Sequence, residues 1–221
     1  MAVAAHTTVI KQTGDSVVMT TEACTSLSST VYQITNTAKR IIDPDVALTV
    51  YDNGSPVADA NVTIDYLFGK VTSTAGAFTG PVTITGAYLA TWAVAEARGF
   101  ELNFSAEMLE STVMAAATAN RSRHMGLKDC SGTVSGLDAF NTDLDSGGTT
   151  VVPFTDWGAG TRRVLEITFP SSGVIFRAFV RFKEPKVNAA YDGQVEGTLA
   201  WEASAATGTD QTEASSFGFS A

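Results

Sequence analysis

Apolar and polar side chains alternate with a period of two in segment after segment between residues 46 and 202. Successive side chains of a strand point to opposite faces. The pattern therefore hides one face of each segment only if the segments are extended and paired. Val46, Leu48 and Val50 share one face, and Asp52, Asn53 and Gly54 follow as a turn that tolerates positive φ. Val62, Ile64, Tyr66 and Phe68 make the next face, and Val82 and Ile84 alternate with Thr83 and Thr85. Phe100, Leu102, Phe104, Ala106 and Met108 alternate with Glu101, Asn103, Ser105 and Glu107, the cleanest half-buried pattern in the chain. Leu165, Ile167 and Phe169 follow, then Phe176, Ala178, Val180 and Phe182 opposite Ile175, Arg177, Phe179 and Arg181. Val195, Gly197, Leu199 and Trp201 alternate with Glu196, Thr198, Ala200 and Glu202. At least seven short strands separated by Gly, Asp and Asn predict an all-β antiparallel sandwich or barrel. A parallel α/β sheet would need helices between them.

Helix signals are few. Residues 108–119 read as one short helix or as a strand running into a loop. Leu137, Phe140 and Leu144 follow a helical spacing before Gly147 and Gly148, which predicts two helical turns packed on a sheet. The ends are Thr/Ser-rich and Ala/Ser/Gly-rich. Their composition predicts an N-terminal arm over 1–30, a sandwich over 31–203 and a C-terminal arm over 204–221.

Hydrophobic residues make up 44% of the chain and charged residues 17%, which excludes a disordered or coiled-coil chain. Fourteen cations against 23 acids leave a net charge of −9. Such a chain lacks the clustered Lys and Arg of a nucleic-acid binder, and an acidic membrane surface would repel it. The N-terminus shows no signal-peptide pattern, no apolar run approaches a transmembrane length, and two cysteines, Cys24 and Cys130, read as free thiols.

No constellation for catalysis or metal binding is complete. His6 and His124 have no partner at ligand spacing. Ser135 stands fourth in Gly132-Thr133-Val134-Ser135-Gly136, where a nucleophile elbow needs it third. Asn141, Asp143 and Asp145 alternate as in a calcium loop, but Ser146 and Val152 stand where its Gly and Glu belong. Glu101 and Glu107 are about 20 Å apart along one strand, too far for a glycosidase pair. The expectation is no enzyme, no cofactor and no metal. Arg177 and Arg181, about 13 Å apart on one face, read either as a stripe facing acidic strands of a neighbouring subunit or as a solvated face.

Three stretches together resemble a known family. They are IIDPDVALTVYDNG at 41–54 with VTIDYLFGKV at 62–71; GFELNFSAEMLE at 99–110 with GLKDCSGTVSG at 126–136; and YDGQVEGTLAWEAS at 191–204. Their order resembles the major tail tube proteins of long-tailed, non-contractile bacteriophages. The stretch 115–125 departs from that pattern, with Ala, Asn, Arg and His where aromatics are expected. The resemblance implies a virion protein assembled in the host cytoplasm. It implies strands of neighbouring subunits joined into a six-membered ring, and rings stacked into a tube that meets other tail proteins at its ends. DNA would pass through without specific binding. Glu101, Glu107, Glu196, Glu202, Arg177 and Arg181 are then candidates for the lumen or for subunit contacts. A monomeric Ig-like binding or virion decoration module also fits the all-β pattern. An all-β hydrolase would need a site that the sequence does not show.

Overall fold

The computed structural model describes residues 9–93, 97–110, 123–137, 153–169, 172–189, 195–204 and 217–220. The elements in chain order are β1 (Val9–Ser26), β2 (Val31–Ile34), β3 (Thr49–Asp52), β4 (Ser55–Pro56), β5 (Val62–Asp65), β6 (Lys70–Ser73), β7 (Val82–Ala93), β8 (Ala97–Glu110), β9 (Arg123–Leu137), α1 (Pro153–Ala159), β10 (Arg163–Phe169), β11 (Val174–Ala189), β12 (Val195–Ala203) and β13 (Phe217–Ser220). All described pairings are antiparallel.

The main ladder runs β4-β3-β7-β1-β10-β11-β12-β9-β8, and β1, β2, β6 and β5 make a second ladder. The path ends at β4 and β8 and does not close into a barrel among the described residues. β2, β5 and β6 of the second ladder pack against β1, β3 and β7. Between them Met19, Ile34, Val50, Val71, Val82 and Ile84 form one core, with Ile41, Ile42 and Leu67. On its other side the main sheet curls. Trp201 and Leu199 of β12, Val134 and Cys130 of β9, and Phe176, Ala178 and Val180 of β11 enclose a second core. The two cores share the strands β10 and β11. Val164 and Phe179 face the first core, and Leu165, Ile167, Phe176 and Ala178 face the second.

Local chemistry explains several elements. Asn53 (φ 50°) and Gly54 (φ 79°) join Asp52 to its partner Ser55 as a two-residue turn with two positive φ values, the geometry that Asn-Gly favours. The Asp52 carboxylate accepts hydrogen bonds from the Thr79 and Gly80 amides and from the Thr79 hydroxyl, which ties residues 79–80 across that turn. In β11 the register slips between Lys183 and Lys186, at Glu184 (φ 40°) and Pro185, a residue that cannot donate to a ladder.

Residues 9–26, read as part of an arm, form the longest strand among the described residues. β1 pairs with β10 through Val9–Gln12, with β7 through residues 11–23, and with β2 through Cys24–Ser26. Ser16, Thr20, Thr21, Thr25 and Ser26 occupy solvent positions, while Ile10, Gln12, Thr13 and Met19 are buried. The described α-helix is α1 at Pro153–Ala159. The helix expected at 137–145 lies, beyond Leu137, outside the described residues, as do 111–122.

Candidate assembly interface

β8 ends the main ladder and pairs, among the described residues, only with β9. Its 14 residues contain no proline. An edge of that length offers a row of unpaired N–H and C=O groups to another chain. β8 and β9 also outrun the sheet. The last β12–β9 pair is Glu202↔Ser131, yet β8 and β9 continue to pair through Met108↔Met125, Leu109↔His124 and Glu110↔Arg123. A two-stranded ribbon is marginal in water unless something packs on it.

Along the inner half of β8 the expected apolar face exists but is only half buried. Phe100 meets Phe169 of β10 edge-on at 5.8 Å. Phe104 remains 51% exposed while contacting Phe176, Phe217 and Phe219 at 5.8–5.9 Å between ring centroids. Phe219 is 54% exposed. The curl thus brings β8 back over β10 and β11 through rings rather than through a ladder, and the patch of rings faces water.

The candidate charged residues separate by environment. Glu101 is exposed and accepts a hydrogen bond from Asn103 at 3.2 Å. No cation pairs with it among the described residues. Glu202 is half-buried and pairs with Lys183 on β11. Glu107 and Glu196 sit in β8 and β12, but their side chains lie outside the described residues. The register shifts between Ala106↔Lys128 and Met108↔Met125, where β9 carries one extra residue opposite β8.

Arg181 is exposed and stands opposite Glu202 in the ladder. Arg177 corrects the expected cationic stripe. It is 6% exposed, and its Nε and Nη2 donate to Glu166 Oε2 at 2.8 and 2.6 Å. Its Nη1 donates to the Leu67 carbonyl at 2.6 Å, and the guanidinium lies over the Phe68 ring. Lys11 reaches the other Glu166 oxygen at 3.0 Å. Lys11, Glu166 and Arg177 are register partners across β1, β10 and β11, so three neighbouring strands are tied by one row of charges. Burial raises the Glu166 carboxyl, but the Arg177 charge and the bonds from Lys11 and Arg177 outweigh it and hold the group below the usual carboxylate range. Alternation alone could not assign Arg177 to the interior, because the acid that neutralises it sits 11 residues away.

A second buried network was not visible in the sequence. Asp156 of α1, 5% exposed, takes two bonds from Arg163 and one from Gln12, while Arg163 also donates to Asp15. It fastens the short helix to β1 and β10. Ser135 lies within β9 opposite Gly99, not on a turn. His, Cys, Asp and Glu side chains form no group able to hold a metal among the described residues, and no described helix is long and apolar enough to cross a membrane.

No family model matches the chain, and no curated protein matches it. Among solved structures it is similar to a chain in the tail of an empty gene transfer agent particle refined with C6 symmetry. That likeness has 16% identity and a TM-score of 0.44, and it covers 60% of this chain and 87% of the other. A chain in the virion of a native gene transfer agent particle is similar at 16% identity and TM-score 0.44, covering 59% and 89%.

Proposed function

We propose that the chain is a structural subunit of a phage-like virion tail, assembling edge to edge into stacked six-membered rings that form a conduit for DNA. The observation that carries this reading is the outer edge of β8, long, uninterrupted by proline and continued in a ribbon beyond the sheet. Pairing that edge with the next copy removes an aggregation-prone strand, and closure of the ring leaves no β8 edge free. The order of strand and turn motifs at 41–71, 99–136 and 191–204, similar to tail tube proteins, supports the same assignment. Six copies would carry about −54 charges, which repel duplex DNA and leave it able to slide.

Negative-stain microscopy of concentrated purified protein tests the reading. Rings or tubes with an open centre are expected, with six-fold class averages. A compact particle near the 23.1 kDa monomer would instead favour the Ig-like binding or decoration module.

A further inference from the structure

The outer edge of β11 is filled by two pieces of chain laid end to end. β12 pairs along it down to Ala203↔Val180, and the Ser204 amide donates to the Phe179 carbonyl at 2.8 Å. The next position, Ala178, is taken by Phe217, and β13 continues in the same direction to Ser220↔Ile175. Residues 205–216, twelve in number, therefore separate two adjacent rungs of one ladder, where direct continuation would need none. Their sequence, AATGTDQTEASS, has no aromatic residue and no aliphatic side chain larger than alanine.

From this arrangement we infer that β13 is an exchangeable strand, donated by each copy to the β11 edge of a second copy of the chain. A stretch of twelve residues can span up to about 40 Å. It does not confine β13 to the slot one rung away. The slot itself is selective. Phe217 and Phe219 place their rings on one side against Phe104 and, for Phe219, Phe176. Gly218 lies on the other side, where an added Cβ would stand 3.1 Å from the Phe68 ring. A Phe-Gly-Phe strand fits, and every copy supplies both that strand and its slot. Exchange makes the same contacts between copies as within one, so its cost is low. Once copies are held side by side, the local concentration of foreign strands rivals that of the chain's own. The inference rests on the ring reading for that supply of neighbours.

Cysteine trapping tests it. One chain carries Ile175→Cys and a second carries Ser220→Cys, a register pair, and the two are co-expressed and oxidised. Exchange between random neighbours is expected to link about half of the chains into covalent dimers, with none in either chain alone. Deleting residues 205–216 joins Ser204 directly to Phe217, confines β13 to its own edge and should abolish the dimer. Micrographs of the same samples separate the two readings. Rings without covalent dimers overturn exchange and leave the ring intact. Dimers without rings uphold exchange and overturn the ring. Absence of both overturns both.

Discussion

A methyl group at Gly132 would stand 2.0 Å from the Glu101 carbonyl and 2.7 Å from the Trp201 ring. Backbone on one side and a fully buried indole on the other leave nothing free to give. Gly132→Ala is therefore expected to lower stability by about 1–3 kcal/mol or more in urea titration, although alanine suits a strand better than glycine does. The Lys11–Glu166–Arg177 row makes a second residue-scale prediction. Arg177→Ala leaves a buried carboxylate without its main counter-charge, and a loss of about 3–5 kcal/mol is expected. The folded state holds Glu166 below its unfolded value, so the stabilisation is present above ordinary carboxylate pH and fades as pH falls through the lowered value. Arg177→Ala should flatten the acid limb of a stability-against-pH curve, and an unchanged limb would show that the row does not govern it. The thiols run the other way. Burial pushes Cys24 up to about 12 and Cys130 up to about 11. Their contribution is full below the unfolded thiol value near ~8.5 and is lost as pH rises towards those figures. Alkylation of the native protein at pH 8 should be far slower than alkylation in urea.

Consecutive amides of a strand point to opposite edges, and β8 turns this into a paired experiment. Ser105 and Ala106 are both exposed, so proline at either position disturbs little packing. One of the two amides faces β9 and the other faces outward. Of Ser105→Pro and Ala106→Pro, one should lower thermal stability, while the other should leave the melting curve in place and abolish assembly. Two variants that both assemble would remove β8 from the interface. Element by element, the sequence was legible where only one face is buried, as in β8 and β12, or where turn chemistry is local, as at Asn53-Gly54. It was misleading for β1, whose Thr and Ser residues suggest an arm. The partners that hold it, β7 and β10, are supplied by remote segments. β9 was missed because three glycines erase its alternation, and at least Gly132 is there to admit Trp201. β11 reads as one apolar and one mixed face, yet both are covered from Phe176 to Val180 because it divides two cores there.

At the scale of the whole molecule, the charge excess makes the lumen assignment testable. Glu101 is the exposed candidate with no cationic partner among the described residues, so Glu101→Lys should leave tubes intact. It should create a site that retains DNA and releases it steeply as salt rises. Loss of assembly without DNA retention would place Glu101 in a subunit contact. Glu196→Lys is the companion test on β12. The place of β1 has a consequence in time. Val9 pairs with Thr168 and Gln12 with Leu165, so during synthesis β1 waits for about 150 further residues before its β10 edge is filled. At bacterial rates of roughly 5–20 residues per second, that wait lasts on the order of 10–30 s. During it Ile10 and Met19 have no finished core to enter. Sequence-distant pairing of this kind slows folding and leaves a sticky nascent segment exposed. Chaperone occupancy during synthesis, rather than the stability of the finished subunit, would then limit how fast copies become available for assembly.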